Sequence, residues 1–308
     1  MRIIFSYSTI VLIWDLQFST MDVVRVFNGL GNQMSQYAFY LAKRKKCPNS
    51  VCWIFFPDEW GGLQHNGYEL DRLFKIERDP IKEKFLQRIY LYAQIEDWRG
   101  QFFRKFVHVI RENSEKDYDP QMLERGARVG WNFYYGGWHT EKYFKDIRNE
   151  LLECYHFDER KLNTNSRKWN TLICNDEYSC SLHVRRGDFL SNAAFVGIST
   201  EDYYLRAINL IKGELEHVNF YVFSNDIEWS KRLFGSSNFS YIDCNTKQDS
   251  WQDMFLMTKC RHHINANSTF SWWGAWLSTY PKSITIVPSR FVNNKTCKDI
   301  YPENWIRI

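Results

Sequence analysis

The chain has no Cys-x-x-Cys pair among its 8 cysteines, no internal repeat and no low-complexity segment. Scattered cysteines without zinc spacing point to reduced thiols in a cytosolic protein, not to a metal cage or a disulfide framework. The apolar stretch Ile3–Trp14 stops at Asp15, short of the ~18 residues a spanning helix needs. It also lacks the small-residue cleavage site of a signal peptide. Charge of one sign is scarce: 40 Lys and Arg against 36 Asp and Glu leave a net charge of +4. That balance suits an anionic small-molecule site and speaks against a nucleic-acid partner. The one dense basic run, Lys43-Arg44-Lys45-Lys46, closes an expected helix, where cations complement the dipole. It reads first as a solvated helix end, and second as a weak contact with anionic lipid or glycan. Paired aspartates at a strand end are missing as well. The single Asp-x-Asp, Asp117-Tyr118-Asp119, follows a charged stretch, so no divalent-metal clamp on a diphosphate is expected.

What is present is aromatic: Phe, Trp and Tyr make up 18% of the 308 residues. The length predicts two domains, 21–165 and 166–308, with residues 1–20 an upstream extension outside the fold. Val23–Phe27 reads as a strand. It enters the turn Asn28-Gly29-Leu30-Gly31-Asn32-Gln33 and then a helix from about Met34 to Lys45. Helices are expected at 81–95 and 101–112, an aromatic strand at Trp131–Trp138, a helix at Thr140–Tyr155 and a polar linker at Asn163–Asp176. Beyond it strands and helices alternate. The expected strands are Cys180–Arg185, Phe220–Phe223, Tyr241–Ile242, His262–Ala266 and Ile284–Val287. The expected helices are Thr200–Lys212, one from Glu228, Trp251–Lys259 and Thr269–Leu277. Such alternation implies α/β architecture with a parallel sheet covered on both faces.

Ligands of open α/β sheets bind beyond the C-terminal strand ends, and three such ends carry polar groups. Cys180, Leu182 and Val184 alternate with Ser181, His183 and Arg185, after which Gly187 breaks the strand and leaves Arg186 and Asp188 at its end. Ser224-Asn225-Asp226 end the next strand, and Asn267-Ser268-Thr269 end another and cap its helix. Each has a plain structural explanation as ion pair, turn or cap. Jointly they suggest a nucleotide site: Arg185 and Arg186, supported by His183, grip a diphosphate bidentately. Asp226 accepts from a guanine edge, and Asn267, Ser268 and Thr269 add donors for phosphate. The first turn lacks the third glycine of a dinucleotide fingerprint and the lysine of a P-loop. By pattern it is a plain strand–helix turn or an anion- and sugar-facing one. Trp272 and Trp273 read as packing, and His262-His263 point to opposite faces, which excludes a metal pair.

Five blocks carry a resemblance. Asn28-Gly-Leu-Gly-Asn-Gln-Met with Gln36-Tyr37-Ala38, Gly137-Trp138 with Glu141-Lys142-Tyr143-Phe144, His183-Val-Arg-Arg-Gly-Asp188, Phe223-Ser-Asn-Asp226 and Asn267-Ser-Thr-Phe-Ser-Trp-Trp-Gly274 occur in order. Together they resemble glycosyltransferase family 11, the α-1,2-fucosyltransferases. The resemblance implies a GT-B-like fold of two facing Rossmann-like domains with the donor site in the C-terminal one. It implies GDP-β-L-fucose as co-substrate, inversion, an α-1,2-linked product and no metal or other cofactor. Gly29, Gly31, Asn32 and Gln33, with Trp138 and His139, then form the opposite wall near fucose and acceptor. Asn28 stands where the family usually has glycine, and Asn tolerates the left-handed geometry. Ser35 replaces a usual phenylalanine and His139 a usual glutamine, while Val196-Gly197 lies where His-Gly is common. The last two departures, His139 and Val196-Gly197, bear on acceptor identity more than on the reaction.

On this reading a galactose 2-hydroxyl attacks the anomeric carbon while Arg185 and Arg186 stabilise the departing GDP. Asp188 is either the general base or an orienter of an arginine. The expected partners are the nucleotide sugar and a galactoside-terminated, lipid-linked or free glycan, with the enzyme cytoplasmic and in peripheral contact with the inner membrane. Two alternatives stay open: a fucosyltransferase of another linkage, α-1,6-like, and a non-catalytic glycan-binding module.

Overall fold

The computed structural model describes residues 20–47, 51–55, 66–124 and 130–308. The expected extension at 1–20 therefore lies outside the described residues except for Thr20, which begins the first strand. The chain divides into two units, Met1–Leu151 and Leu152–Ile308, so the division falls before the expected position at 165.

The first unit is a parallel sheet of β1 (Thr20–Arg25), β2 (Val51–Phe55), β3 (Val107–Arg111) and β4 (Gly130–Tyr135) in the order β2-β1-β4-β3. Its helices are α1 (Leu30–Lys46), α2 (Leu70–Phe74), α3 (Pro80–Gln94), α4 (Trp98–Phe103) and α5 (Gln121–Glu124), and α6 (Arg148–Cys154) spans the division. Leu30, Met34, Ala38 and Ala42 recur at intervals of four and are buried, the stripe that seats an amphipathic helix. On the sheet, Met21, Val23, Phe55, Val107, Trp131 and Phe133 pack with Leu86, Ile89 and Ala93 of α3.

Four expectations change here. Residues 101–112 form the end of α4 and then β3, because Val107-His-Val-Ile-Arg111 pairs in parallel with β4. β-branched residues on a half-buried pleat fit that role better than a helix. β2 was not expected. Thr140–Tyr155 begins with two short 3₁₀ turns, Glu141–Tyr143 and Lys145–Ile147, before α6. Lys43 is no solvated helix end: its side chain is fully buried, 3.4 Å from buried Asp22, donates to the Met122 carbonyl at 2.9 Å, and faces the Tyr134 ring. Arg44, Lys45 and Lys46 are exposed, and Lys45 pairs with Glu150.

The second unit holds α7 (Thr164–Asn175), β5 (Ser179–Val184), α8 (Glu201–Glu214), β6 (Asn219–Ser224), α9 (Ile227–Phe234), β7 (Phe239–Ile242), α10 (Trp251–Lys259), β8 (His262–Ile264), α11 (Thr269–Trp276), β9 (Thr285–Val287) and β10 (Ile306–Arg307). The strands run in parallel in the order β10-β9-β8-β5-β6-β7. Cys180, Leu182, Val184, Phe220, Val222, Ile264 and Ile286 form a buried cluster with Tyr203, Tyr204, Ala207, Ile208 and Ile211 of α8. The stretch expected as a linker is α7. Asn163 caps it by accepting from the Ser166 N–H at 2.8 Å, Ile173 is buried, and Trp169 meets Tyr221 edge-on. Trp272 and Trp273 are buried among aromatic rings, as expected of packing residues.

Candidate active site

Register brings three strand ends of the second unit together. Val184 pairs with Ser224 across β5 and β6, and Leu182 with Ile264 across β5 and β8. Residues 185–188, 225–226 and 265–269 therefore emerge side by side at the C-terminal edge of one parallel sheet, where open α/β folds hold their ligands.

Arg186 is fixed from several sides. Its backbone N–H donates to Asn225 Oδ1 at 2.8 Å and its Nε to Asp226 Oδ2 at 3.2 Å. Its guanidinium lies 4.0 Å from the centre of the Trp229 ring, a stacking that favours arginine over lysine. Asp226 Oδ1 accepts the Trp229 N–H at 3.1 Å, so one carboxylate caps α9 and holds Arg186. Gly187 has φ +30°, and a Cβ there would meet Asn225 Nδ2 at 2.5 Å; a side chain at this position is strained and would push on Asn225, which favours glycine.

Arg185 is held differently. Its Nη2 lies 2.8 Å from Asp188 Oδ1 and its guanidinium 5.3 Å from the Phe189 ring centre. Its Nε is enclosed with no hydrogen-bond partner among the described residues. His183 is buried beside Phe270. Burial, and then the Arg185 charge, hold its pKa down to about 3. A neutral imidazole offers one donor and one acceptor nitrogen, and its Nδ1 is likewise enclosed without a partner.

At the third strand end Ser268 Oγ accepts the Phe270 N–H at 3.3 Å and caps α11, whose first residue is Thr269. Asn267 is a buried strut: its Oδ1 accepts from Ser199 Oγ at 2.8 Å and its Nδ2 donates to the Phe291 carbonyl at 3.1 Å. Of the expected donor-side residues, His183, Arg185, Arg186, Asp188, Asp226, Ser268 and Thr269 thus share one edge, with Asn267 beneath them.

Sequence reading placed Asn225 at the strand end without a role, and missed Trp229 and Asn265. Asn265 is buried, with both Oδ1 and Nδ2 lacking a partner among the described residues. The bond from Ser181 to His263 Nδ1 at 2.8 Å shows that these neighbouring side chains share a face. Two residues further along, His183 and Asn265 lie on that same face. The alternation of His263 with Asn265, matching Ser181 with His183, is the signal that could have found it. A second missed feature is Asp253, whose carboxyl desolvation pushes up to about 7. It accepts from Asn245 at 2.7 Å, and Asn245 accepts from the Asn163 cap at 2.8 Å.

In the first unit, Asn28 adopts φ 66°, the left-handed geometry expected of it. The helix then begins at Leu30, with Gly29 as cap, so Gly31, Asn32 and Gln33 form its first turn and not an extended loop. The Asn32 and Gln33 N–H groups both donate to the Gly29 carbonyl. Gln33 is fully engaged: its Nε2 donates to the Asn28 and Gly67 carbonyls at 2.7 Å each, and its Oε1 accepts the Glu69 N–H at 2.9 Å. Gln36 accepts the Phe27 N–H and donates to the Gly136 carbonyl, joining the ends of β1 and β4. After β4 the Glu112 carboxylate accepts the Gly137 and Trp138 N–H groups at 2.8 and 2.9 Å. Trp138, at φ 55°, is 0% exposed and stacks on Phe39 at 4.2 Å. His139 is buried too, which holds its pKa well below the usual histidine value. Trp138 and His139, expected to line a cleft, instead pack inside the unit, because the left-handed backbone turns the indole onto α1. Among the described residues no cluster of three or more His, Cys, Asp or Glu could hold a metal ion.

The sequence profile of Glycosyl transferase family 11 matches residues 78–308. The chain is 32% identical to an Escherichia coli alpha-1,2-colitosyltransferase, over 93% of this chain and 98% of the relative. It is 29% identical to human galactoside alpha-(1,2)-fucosyltransferase 1, over 90% of this chain and 72% of the relative. Among solved structures it is similar to an Arabidopsis thaliana FUT1 mutant in complex with GDP, with TM-score 0.49, 13% identity, and coverage of 92% of this chain and 75% of that one.

Proposed function

The chain belongs to glycosyltransferase family 11, and we propose that it transfers L-fucose from GDP-β-L-fucose to the 2-hydroxyl of a galactoside, with inversion and without a metal ion. The observation that carries this reading is the pair Arg185 and Arg186 at one strand end, each already positioned by its own carboxylate. Two fixed guanidiniums suit a diphosphate whose charge grows as it departs, and need no reorganisation at that moment. In this mechanism an acceptor hydroxyl attacks the anomeric carbon opposite GDP. Arg185 and Arg186 take up the developing phosphate charge. Neutral His183 hydrogen-bonds one phosphate oxygen. Ser268, Thr269 and the first N–H groups of α11 add donors. Asp226 keeps Arg186 in place, and its remaining lone pairs accept from a guanine edge, since an ionised carboxylate offers about four acceptor sites. Asp188 orients Arg185. Gly29 and Asn32, at the start of α1, present the acceptor-side surface of the first unit.

A second donor is favoured by one observation: the E. coli relative at 32% identity is by name a colitosyltransferase. Transfer assays with GDP-fucose and GDP-colitose against a panel of galactosides, with NMR of the product linkage, decide between them. A product linked elsewhere than O2 removes the α-1,2 reading. Calorimetry that detects no GDP binding removes the transferase reading and leaves a glycan-binding module.

A further inference from the structure

The outer face of α3 and α4 is remote in sequence from every residue given a part in transfer. α3 buries Glu83, Leu86, Ile89 and Ala93. Its opposite line, at intervals of three, four and three, is Ile81, Lys84, Arg88 and Leu91, a single stripe on a helix. Ile81 is 83% and Leu91 48% exposed. On α4, Trp98 and Phe102, one turn apart, are 75% and 50% exposed. The two helices pack against one another: Arg104 donates to the Ala93 and Ile95 carbonyls at 2.9 and 2.8 Å, and Tyr92 stacks on Phe103 at 5.1 Å.

Cations outnumber carboxylates on this face, where Glu96 between the helices is an exposed carboxylate without an ion pair among the described residues. Lys82 pairs with Asp79, Arg78 with Glu83 and Arg99 with Asp97. Exposed Lys84, Arg88 and Lys105 have no carboxylate within ion-pair distance among the described residues. Exposed Trp, Phe, Leu and Ile interleaved with uncompensated cations are the pattern of a helix lying in a membrane interface. No helix among the described residues is long and apolar enough to cross a membrane. We propose that the α3–α4 face docks on an anionic phospholipid bilayer, with Trp98, Phe102, Leu91 and Ile81 entering the interface and Lys84, Arg88 and Lys105 meeting lipid phosphates. Charge favours this occupant over a second copy of the chain. In a two-fold contact the patch meets itself, which sets the same unpaired cations against one another.

Flotation of the full chain with vesicles, phosphatidylcholine alone or mixed with phosphatidylglycerol, tests this. The chain is expected to float with phosphatidylglycerol at low salt and less at high salt. Each cation near an anionic surface contributes about a fivefold increase in partitioning, so Lys84→Glu with Arg88→Glu lowers it at least ~25-fold. Trp98→Ser with Phe102→Ser weakens partitioning severalfold, while Lys45→Glu with Lys46→Glu leaves it unchanged. Turnover of a soluble acceptor stays at the wild-type rate in all of these variants. The proposal is overturned if the wild-type chain stays unbound at low salt, or if the Lys84/Arg88 reversal floats as well as wild type. It is equally overturned if sedimentation shows a dimer that Trp98→Ser with Phe102→Ser dissolves while no vesicle is bound.

Discussion

Asp226 does two jobs with two oxygens, and two substitutions separate them. Oδ1 caps α9 through the Trp229 N–H at 3.1 Å, and Oδ2 receives Arg186 Nε at 3.2 Å. In Asp226→Asn the amide oxygen keeps the cap, since asparagine caps as well as aspartate. The amide nitrogen then faces Arg186, donor against donor. Asp226→Ala loses both contacts. The cap is worth ~1 kcal/mol. The charge-assisted contact, with Arg186 23% and Asp226 35% exposed, is screened to about 1 kcal/mol. Urea denaturation is therefore expected to lower Asp226→Asn by about 1 kcal/mol and Asp226→Ala, which loses both contacts, by about 2 kcal/mol. Calorimetry with GDP is expected to show both variants binding about five- to tenfold more weakly. If Asp226→Asn binds GDP like wild type, the carboxylate does not hold Arg186 for the nucleotide. If both variants unfold alike, the cap is not what Asp226 contributes to the fold.

Arg185→Ala is expected to lower kcat at least ~100-fold with an unchanged circular dichroism spectrum, and retained turnover removes Arg185 from the mechanism. Asn265→Leu replaces an enclosed, unpartnered amide with a similar apolar volume; stability is expected to rise by about 1 kcal/mol while turnover falls. A large loss of stability in urea would show that its amide is a structural strut like that of Asn267. His183 stays neutral down to about 3 in the folded chain, whereas an unfolded histidine protonates near ~6.5. Its contribution is therefore present above the unfolded value and lost as pH falls toward the folded one. His183→Gln should shrink the acid-side loss of stability by up to ~1.4 kcal/mol per pH unit in that window, and an unchanged pH profile of melting refutes the assignment. Lys43→Met strands the Asp22 carboxylate in a fully buried pair and is expected to destabilise by about 3 kcal/mol. Lys46→Met on the exposed end of α1 should change the urea midpoint hardly at all.

The second unit was legible because short apolar strands with polar ends alternate with helices, and β5 alternates strictly within itself. β5 shows Cys180, Leu182 and Val184 against Ser181 and His183, and that pattern needs no tertiary knowledge. β3 was not, because Val107-His-Val-Ile-Arg111 is too short to show a period, and pairing with β4 decides its state. α7 escaped for a different reason. Its buried residues are only Ser166 and Ile173, so the segment is polar enough to pass for a linker. Within the site, residue types at strand ends were readable, but what their hydrogen bonds were committed to was not. Gln33 and Asn267 look from sequence like ligand contacts, yet both are saturated by backbone and side-chain partners. Asn265, unremarked in the sequence, is the amide left over. Lys43 shows the same limit for charge: a run of four cations does not reveal which one faces inward onto Asp22.

Adjacent arginines at one strand end repel, and each is balanced by one carboxylate, but the two carboxylates are not alike. The Asp226 side chain is 35% exposed and tied down by the cap of α9, while that of Asp188 is 59% exposed. An incoming diphosphate competes with both for the guanidiniums, and the less restrained carboxylate yields first. On the proposed function Arg186 would thus stay clamped between Asp226 and Trp229, and Arg185 would exchange Asp188 for a phosphate oxygen. Release of Asp188 from Arg185 frees a carboxylate at the strand end in the same step that the diphosphate is gripped. Under the proposed transfer that coupling would join the two roles open to Asp188, orienting Arg185 before the donor binds and accepting a proton only afterwards. A base released by donor binding is one that the empty enzyme keeps paired, which favours the ordered entry of donor before acceptor.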